Sequence, residues 1–122
     1  MNKKILIADD EQNIVISLEF LMKREGFDVV VANDGEEAVQ RIRAERPDLV
    51  LLDVMMPKKT GFEVCQEVKA DPALAAVRVL MLTAKGRDTE VAKGLALGAD
   101  AYMTKPFSTR ELVDKVRSML EQ

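Results

Sequence analysis

The stretch Asp48-Leu-Val-Leu-Leu-Asp53-Val-Met-Met-Pro57 constrains the fold more than any other part of the chain. Leu49 to Leu52 is an apolar run without alternation, the pattern of a strand buried on both faces. Such a strand needs cover above and below, which a parallel sheet with helices on both sides supplies. The run stops on a carboxylate, Asp53, and Pro57 bars a helix for the next few residues. In an open parallel sheet, ligands bind just outside the carboxyl ends of the strands. Asp53 is therefore a candidate reactive group. Taken alone, it reads equally well as a turn-capping aspartate at a strand end.

The rest of the chain repeats the same alternation. Lys3-Lys4-Ile-Leu-Ile-Ala8 is a first buried strand that runs into Asp9-Asp10-Glu11. A helix with Ile14, Leu18, Leu21 and Met22 on one face follows, and Gly26 stops it. Phe27 to Ala32 is a second strand, and Asp34 caps a helix through Ala38, Val39 and Ile42 that Pro47 closes. After the Pro57 to Gly61 loop, Phe62, Cys65 and Val68 mark a third helix, ended by Asp71-Pro72. Val77 to Leu82 is a fourth strand, ending at Thr83-Ala84. Val91, Ala92 and Leu95 mark a fourth helix, stopped at Gly98. Ala101-Tyr102-Met103 is a short fifth strand before Thr104-Lys105-Pro106. Ser108 and Glu111 form a capping box for a last helix with Leu112, Val113, Val116, Met119 and Leu120 on its apolar face. Five strands alternating with five helices, joined by right-handed crossovers, predict an α/β doubly wound five-stranded parallel sheet. One domain is expected over residues 1–122, with no linker, repeat or second domain.

Composition narrows the chemistry. The chain has no histidine, which excludes Ser-His-Asp and Cys-His catalysis and any imidazole metal site. Its single cysteine, Cys65, excludes an internal disulfide and reads as core. A metal here must take oxygen ligands, which favours Mg²⁺, with Mn²⁺ as the alternative. The net charge of −3 argues against direct nucleic-acid binding, which needs a basic face. No apolar run approaches the length of a membrane span and no signal peptide opens the chain, so a cytoplasmic protein is expected.

Four strand ends then line up: Asp9-Asp10, Asp53, Thr83 and Lys105. In the flavodoxin-like strand order 2-1-3-4-5, strands one and three are neighbours at the switch point, so Asp9, Asp10 and Asp53 converge. Close carboxylates repel by on the order of 4 kcal/mol per contacting pair at intermediate dielectric. A divalent cation and the ammonium of Lys105 are the available compensations. Such a site suits phosphoryl binding or transfer, with Asp53 as nucleophile or ligand and Thr83 as a donor to phosphoryl oxygens. Singly, Asp10 or Glu11 also reads as a helix N-terminal acid, Thr83 as a strand-end residue and Lys105 as an exposed charge. Jointly they favour function, because all four groups lie at the same edge of the sheet.

These residues match a known pattern. Asp9-Asp10-Glu11, Leu-Leu-Asp53-Val-Met-Met-Pro57 with Gly61, Thr83-Ala84, Gly98-Ala-Asp100 and Lys105-Pro106-Phe107 resemble the receiver domain of two-component response regulators, the CheY-like phosphoacceptor domain. The resemblance covers about Lys3 to Leu120. It implies that Asp53 accepts a phosphoryl group from the phosphohistidine of a histidine kinase or phosphotransfer protein. It implies Mg²⁺ held by Asp9, Asp10, Asp53 and the backbone carbonyl of Met55. Lys105, Thr83 and Ala84 would bind the phosphoryl group, Tyr102 would turn inward behind Thr83, and the Lys105-Pro106 peptide would be cis. The surface of the fourth helix, fifth strand and fifth helix would then repack to bind a partner or to form a homodimer. Met55 and Lys85 occupy the positions that tune phosphoryl lifetime in the family, and apolar Met55 implies slow self-dephosphorylation. Such a domain is not an enzyme beyond its own phosphorylation and dephosphorylation.

Three other readings compete. An aspartyl phosphatase of the haloacid-dehalogenase type needs a second Asp two residues after the nucleophile, where Met55 stands. A flavin carrier needs a Ser/Thr/Gly loop after the first strand, where Asp9-Asp10-Glu11 would repel the cofactor phosphate. A receiver-like interaction module that is never phosphorylated has no reason to keep the full Asp9, Asp10, Asp53, Thr83 and Lys105 set.

Overall fold

A computed structural model describes residues 2–84 and 88–121. Its elements, in order, are β1 (Lys4–Ala8), α1 (Gln12–Arg24), β2 (Asp28–Ala32), α2 (Gly35–Glu45), β3 (Leu49–Asp53), α3 (Gly61–Ala70), a short 3₁₀ turn (Pro72–Leu74), β4 (Arg78–Ala84), α4 (Asp88–Ala96), β5 (Ala101–Lys105) and α5 (Thr109–Leu120). All strand pairs are parallel and the sheet order is β2-β1-β3-β4-β5. β3 lies at the centre, and every one of its five residues is buried.

Alternate side chains of the central strands build two cores. Leu6, Val50, Leu52, Val79 and Met81 face α2 and α3, meeting Val39, Ile42, Val64, Cys65 and Val68. Ile5, Ile7, Leu49, Leu51, Leu80 and Leu82 face α1 and α5, meeting Leu18, Met22, Leu112 and Val116. Fully burying one such aliphatic side chain contributes about 1.5–3 kcal/mol, so this double layer dominates the fold's stability. Its practical consequence is a rigid platform: the C-terminal ends of β1, β3, β4 and β5 are fixed relative to one another by paired backbone.

The elements depart from the sequence reading at three places. β4 and β5 run on to Ala84 and Lys105, because Thr83 pairs with Thr104 and Ala84 with Lys105 in register. The expected apolar face of α4 is not buried: Gly94 is its only buried residue, and Leu95 is 43% exposed. Gly94 has no side chain, so the helix backbone settles against Met81 and Phe62 at that point instead of on Val91 and Leu95. The complete capping box opens α3, where Thr60 Oγ1 accepts from the Glu63 N–H and the Glu63 side chain accepts from the Thr60 N–H. Ser108 supplies only the first half of that arrangement to α5. Asp48 Oδ2 accepts from the Lys4 N–H at 2.8 Å and ties β3 to β1. Among the described residues, no helix is long and apolar enough to cross a membrane.

Candidate functional site

The site is assembled where four parallel strands stop. Asp9 follows β1 and is fully buried; Asp10, next to it, is exposed. Asp53 ends β3 at 7% exposure, and Thr83 lies in β4 at 1%. Carboxylate oxygens of Asp9, Asp10 and Asp53 lie within 4.8 Å of one another. Lys105, the last residue of β5, reaches into this cluster: its Nζ donates to Asp9 Oδ2 at 3.0 Å and to Asp53 Oδ1 at 3.3 Å. It also pairs with Glu11 Oε1 at 3.7 Å. Sequence reasoning placed Glu11 in the acidic motif without a contact. An acid one residue beyond the Asp pair is the signal that could have found it.

Burial is the main electrostatic cost at Asp53. It pushes the carboxyl up from 3.8 to about 6, Asp9 adds to the rise, and Lys105 opposes it. Burial also works against the charge of Lys105, but the hydrogen bond to Asp9 and the charges of Asp53 and Asp9 outweigh it and hold the ammonium above its usual value. Lys105 thus compensates the cluster only in part, and Asp53 remains a strained anion. A carboxylate tuned in this way at a sheet edge is the kind of group found at functional sites.

Two further features lie beside Asp53 in the fold. Thr83 Oγ1 is buried and has no hydrogen-bond partner among the described residues. A buried hydroxyl left unpaired costs about 1–3 kcal/mol, so its retention calls for a ligand or a role. The loop after Asp53 is fastened by backbone: Val54 N–H donates to Leu82 O at 3.2 Å and Gly61 N–H to Val54 O at 2.8 Å. The Lys105-Pro106 peptide is cis.

Among the described residues, the side chains of the other sequence candidates lie at the surface. The Tyr102 side chain is 45% exposed on β5, and Met55 is 66% exposed at the start of the loop. Ala84 is exposed at the end of β4, beside Lys105 in the strand register. Lys85 lies outside the described residues. The donor set fits a hard divalent cation: three carboxylates, one of them exposed to solvent, and no imidazole or thiolate nearby.

The comparisons with known proteins agree with this geometry. The family model described as the response regulator receiver domain matches residues 5–117. The chain is 48% identical to the alkaline phosphatase synthesis transcriptional regulatory protein PhoP of Bacillus subtilis, over all of this chain and 50% of that protein. It therefore spans half the length of that relative. Among solved structures, the receiver domain of the Francisella response regulator 1452 superposes with a TM-score of 0.89 at 32% identity, covering 98% of both chains. The Vibrio cholerae chemotaxis protein CheY4 superposes with a TM-score of 0.91 at 29% identity, covering 98% of this chain and 99% of the other.

Proposed function

The chain belongs to the response regulator receiver family of two-component systems, and from that premise we propose that Asp53 is its phosphoacceptor. The observation that carries this reading is the convergence of Asp9, Asp10, Asp53 and Lys105 beside an unpartnered Thr83 hydroxyl. The donor imidazole must come from a histidine kinase or phosphotransfer protein, since this chain has no histidine. An Asp53 oxygen attacks the phosphorus of the partner's phosphohistidine. The O–P bond forms as the P–N bond breaks, the imidazole leaves with the electron pair, and Asp53 becomes an acyl phosphate.

Asp9, Asp10, Asp53 and the Met55 carbonyl would hold Mg²⁺. When bound, the ion supplies positive charge that offsets the carboxylates and the transferring phosphoryl group. Lys105 exchanges its pair with Asp53 for one with the phosphoryl oxygens, and Thr83 and Ala84 receive the others. Occupying Thr83 draws it toward the phosphoryl group and opens space for Tyr102 to turn inward. The faces of α4, β5 and α5 then shift toward a second population that binds a partner or another copy. A cytoplasmic location suits these partners.

Intact-protein mass after incubation with a small phosphodonor tests the reading. One added phosphoryl group, formed only with Mg²⁺, is expected; no adduct under any condition, including with a phosphorylated kinase, overturns it.

Two further outcomes follow from the same geometry. Asp53 must be ionised to hold a cation, and its carboxyl titrates at about 6. Mg²⁺ affinity should be level above pH 7 and fall about tenfold per pH unit below 6. Calorimetric titrations at pH 7 and pH 5 check this, and equal affinities would remove Asp53 from the ligand set. The second concerns lifetime: exposed, apolar Met55 cannot orient an attacking water. Met55→Asn should shorten the acyl phosphate half-life by up to about a hundredfold, the low end of what a positioned polar group contributes to proton transfer in water attack. Unchanged decay in a time course of adduct mass would exclude Met55 from that role.

A further inference from the structure

The loop that leaves Asp53 rests on the start of α2 as well as on its own strand. Gly35, the first residue of α2, donates its N–H to Pro57 O at 3.2 Å. Its Cα approaches the loop so closely that an added Cβ would lie 1.9 Å from Lys59 O and 2.6 Å from Lys59 C. Those atoms are backbone, so the collision cannot be relieved by turning a side chain. One residue earlier, Asp34 caps α2 by accepting from the Glu37 N–H at 2.8 Å, and its Oδ2 pairs with Lys58 Nζ at 3.8 Å. Within the loop, Lys58 holds a left-handed φ of 70° and the Lys59 N–H donates to Pro57 O at 2.8 Å. Residues 57–59 are thus folded into a tight turn that is pressed against Asp34 and Gly35.

We infer that Gly35 is a positioning residue: the turn before α2 is a strut that sets the height of the loop following Asp53, and through it the cation site. The inference rests on the Mg²⁺ reading above. It accounts for a glycine at the first turn of a helix, where a Cβ-bearing residue has the better helix propensity. Any larger residue must lift Pro57 to Lys59 away from α2, and the displacement passes along the short segment to Met55 and Asp53. Losing a partner that orients metal-ligating groups typically weakens affinity about 10- to 100-fold.

The test is a Mg²⁺ titration of the full chain, followed by amide NMR shifts, in Gly35→Ala and in Gly26→Ala. Gly26 has a φ of 93°, nothing within 4 Å of an added Cβ, and a place at the opposite edge of the sheet. Its alanine variant loses stability through backbone strain without touching the loop. Gly35→Ala is expected to bind Mg²⁺ about 10- to 100-fold more weakly than wild type, with Gly26→Ala unchanged. A Gly35→Ala protein that binds as wild type does overturns the strut. If that variant does not fold, hydrogen exchange in the wild type decides: the Gly35 amide should exchange more slowly on adding Mg²⁺, and an unchanged rate overturns the inference. A wild type that takes up no Mg²⁺ removes the underlying reading, and the strut with it.

Discussion

Asp53→Asn should form no phosphoryl adduct at all and should be more stable than the wild type at neutral pH without metal. The first effect is a loss of the nucleophile. The second follows from the cost of keeping Asp53 ionised. Its carboxyl titrates at about 6 in the fold against 3.8 for the unperturbed group. The folded state therefore binds the proton more tightly than the unfolded chain does. For an acid raised in this way, stability is greatest below the unfolded value and is lost as pH rises through the folded one. The window runs from about pH 4 to pH 6, and above it the folded anion costs on the order of 3 kcal/mol. Asn carries no charge and has no such slope. Melting curves of the two proteins should lie close together near pH 4 and separate toward pH 7, with the variant several degrees higher. Mg²⁺ should narrow the gap by stabilising the wild type through binding. A variant that melts below the wild type at pH 7 in chelator would show that Lys105 already compensates the cluster, and the strained-anion account would fail.

How much of this was legible in the sequence depends on whether side chains or backbone carry the information. The strand order and the meeting of Asp9, Asp10, Asp53 and Lys105 could be read because buried runs and their polar ends mark strands and strand ends directly. Thr83 could be placed at the site, but not its unpartnered hydroxyl, which depends on everything packed around it. The face of α4 was misread because periodicity counts apolar side chains, whereas this helix docks through the absence of one at Gly94. The same blindness hid Gly35. In a sequence, Asn33-Asp34-Gly35 is a turn followed by a cap; only the fold shows that the glycine faces the loop from Pro57 to Lys59. Close backbone approach between segments more than 20 residues apart leaves no periodic trace.

Gly61 is a second place where that kind of contact has a large energetic consequence. It opens α3, and its Cα lies against the end of β3: an added Cβ would sit 2.3 Å from Asp53 O and 2.9 Å from Val54 Cα. Neither neighbour can yield. Asp53 is held in register with Leu82 of β4, and Val54 is pinned by its N–H bond to Leu82 O. Gly61 itself is pinned by its N–H bond to Val54 O, and the Thr60 capping box fixes the helix start beside it. Gly61→Ala must therefore break the cap, the loop bond or the strand end. The expected cost is at least about 3 kcal/mol, the upper range for overpacking a rigid site. For a domain of this size that corresponds to a Tm lower by roughly 10 °C. Gly94→Ala provides the contrast, since its Cβ would meet Met81 Cγ at 3.5 Å and Met81 Cε and Phe62 Cε1 at 3.8 Å, all ordinary side-chain contacts. Removing a glycine from the interior of α4 should then be neutral or stabilising by up to about 1 kcal/mol. Thermal unfolding of the two variants side by side separates close backbone approach from glycine content as such. A Gly61→Ala protein melting within a few degrees of the wild type would mean that the loop, and not the strand end, gives way, and that the β3 terminus is softer than its packing implies.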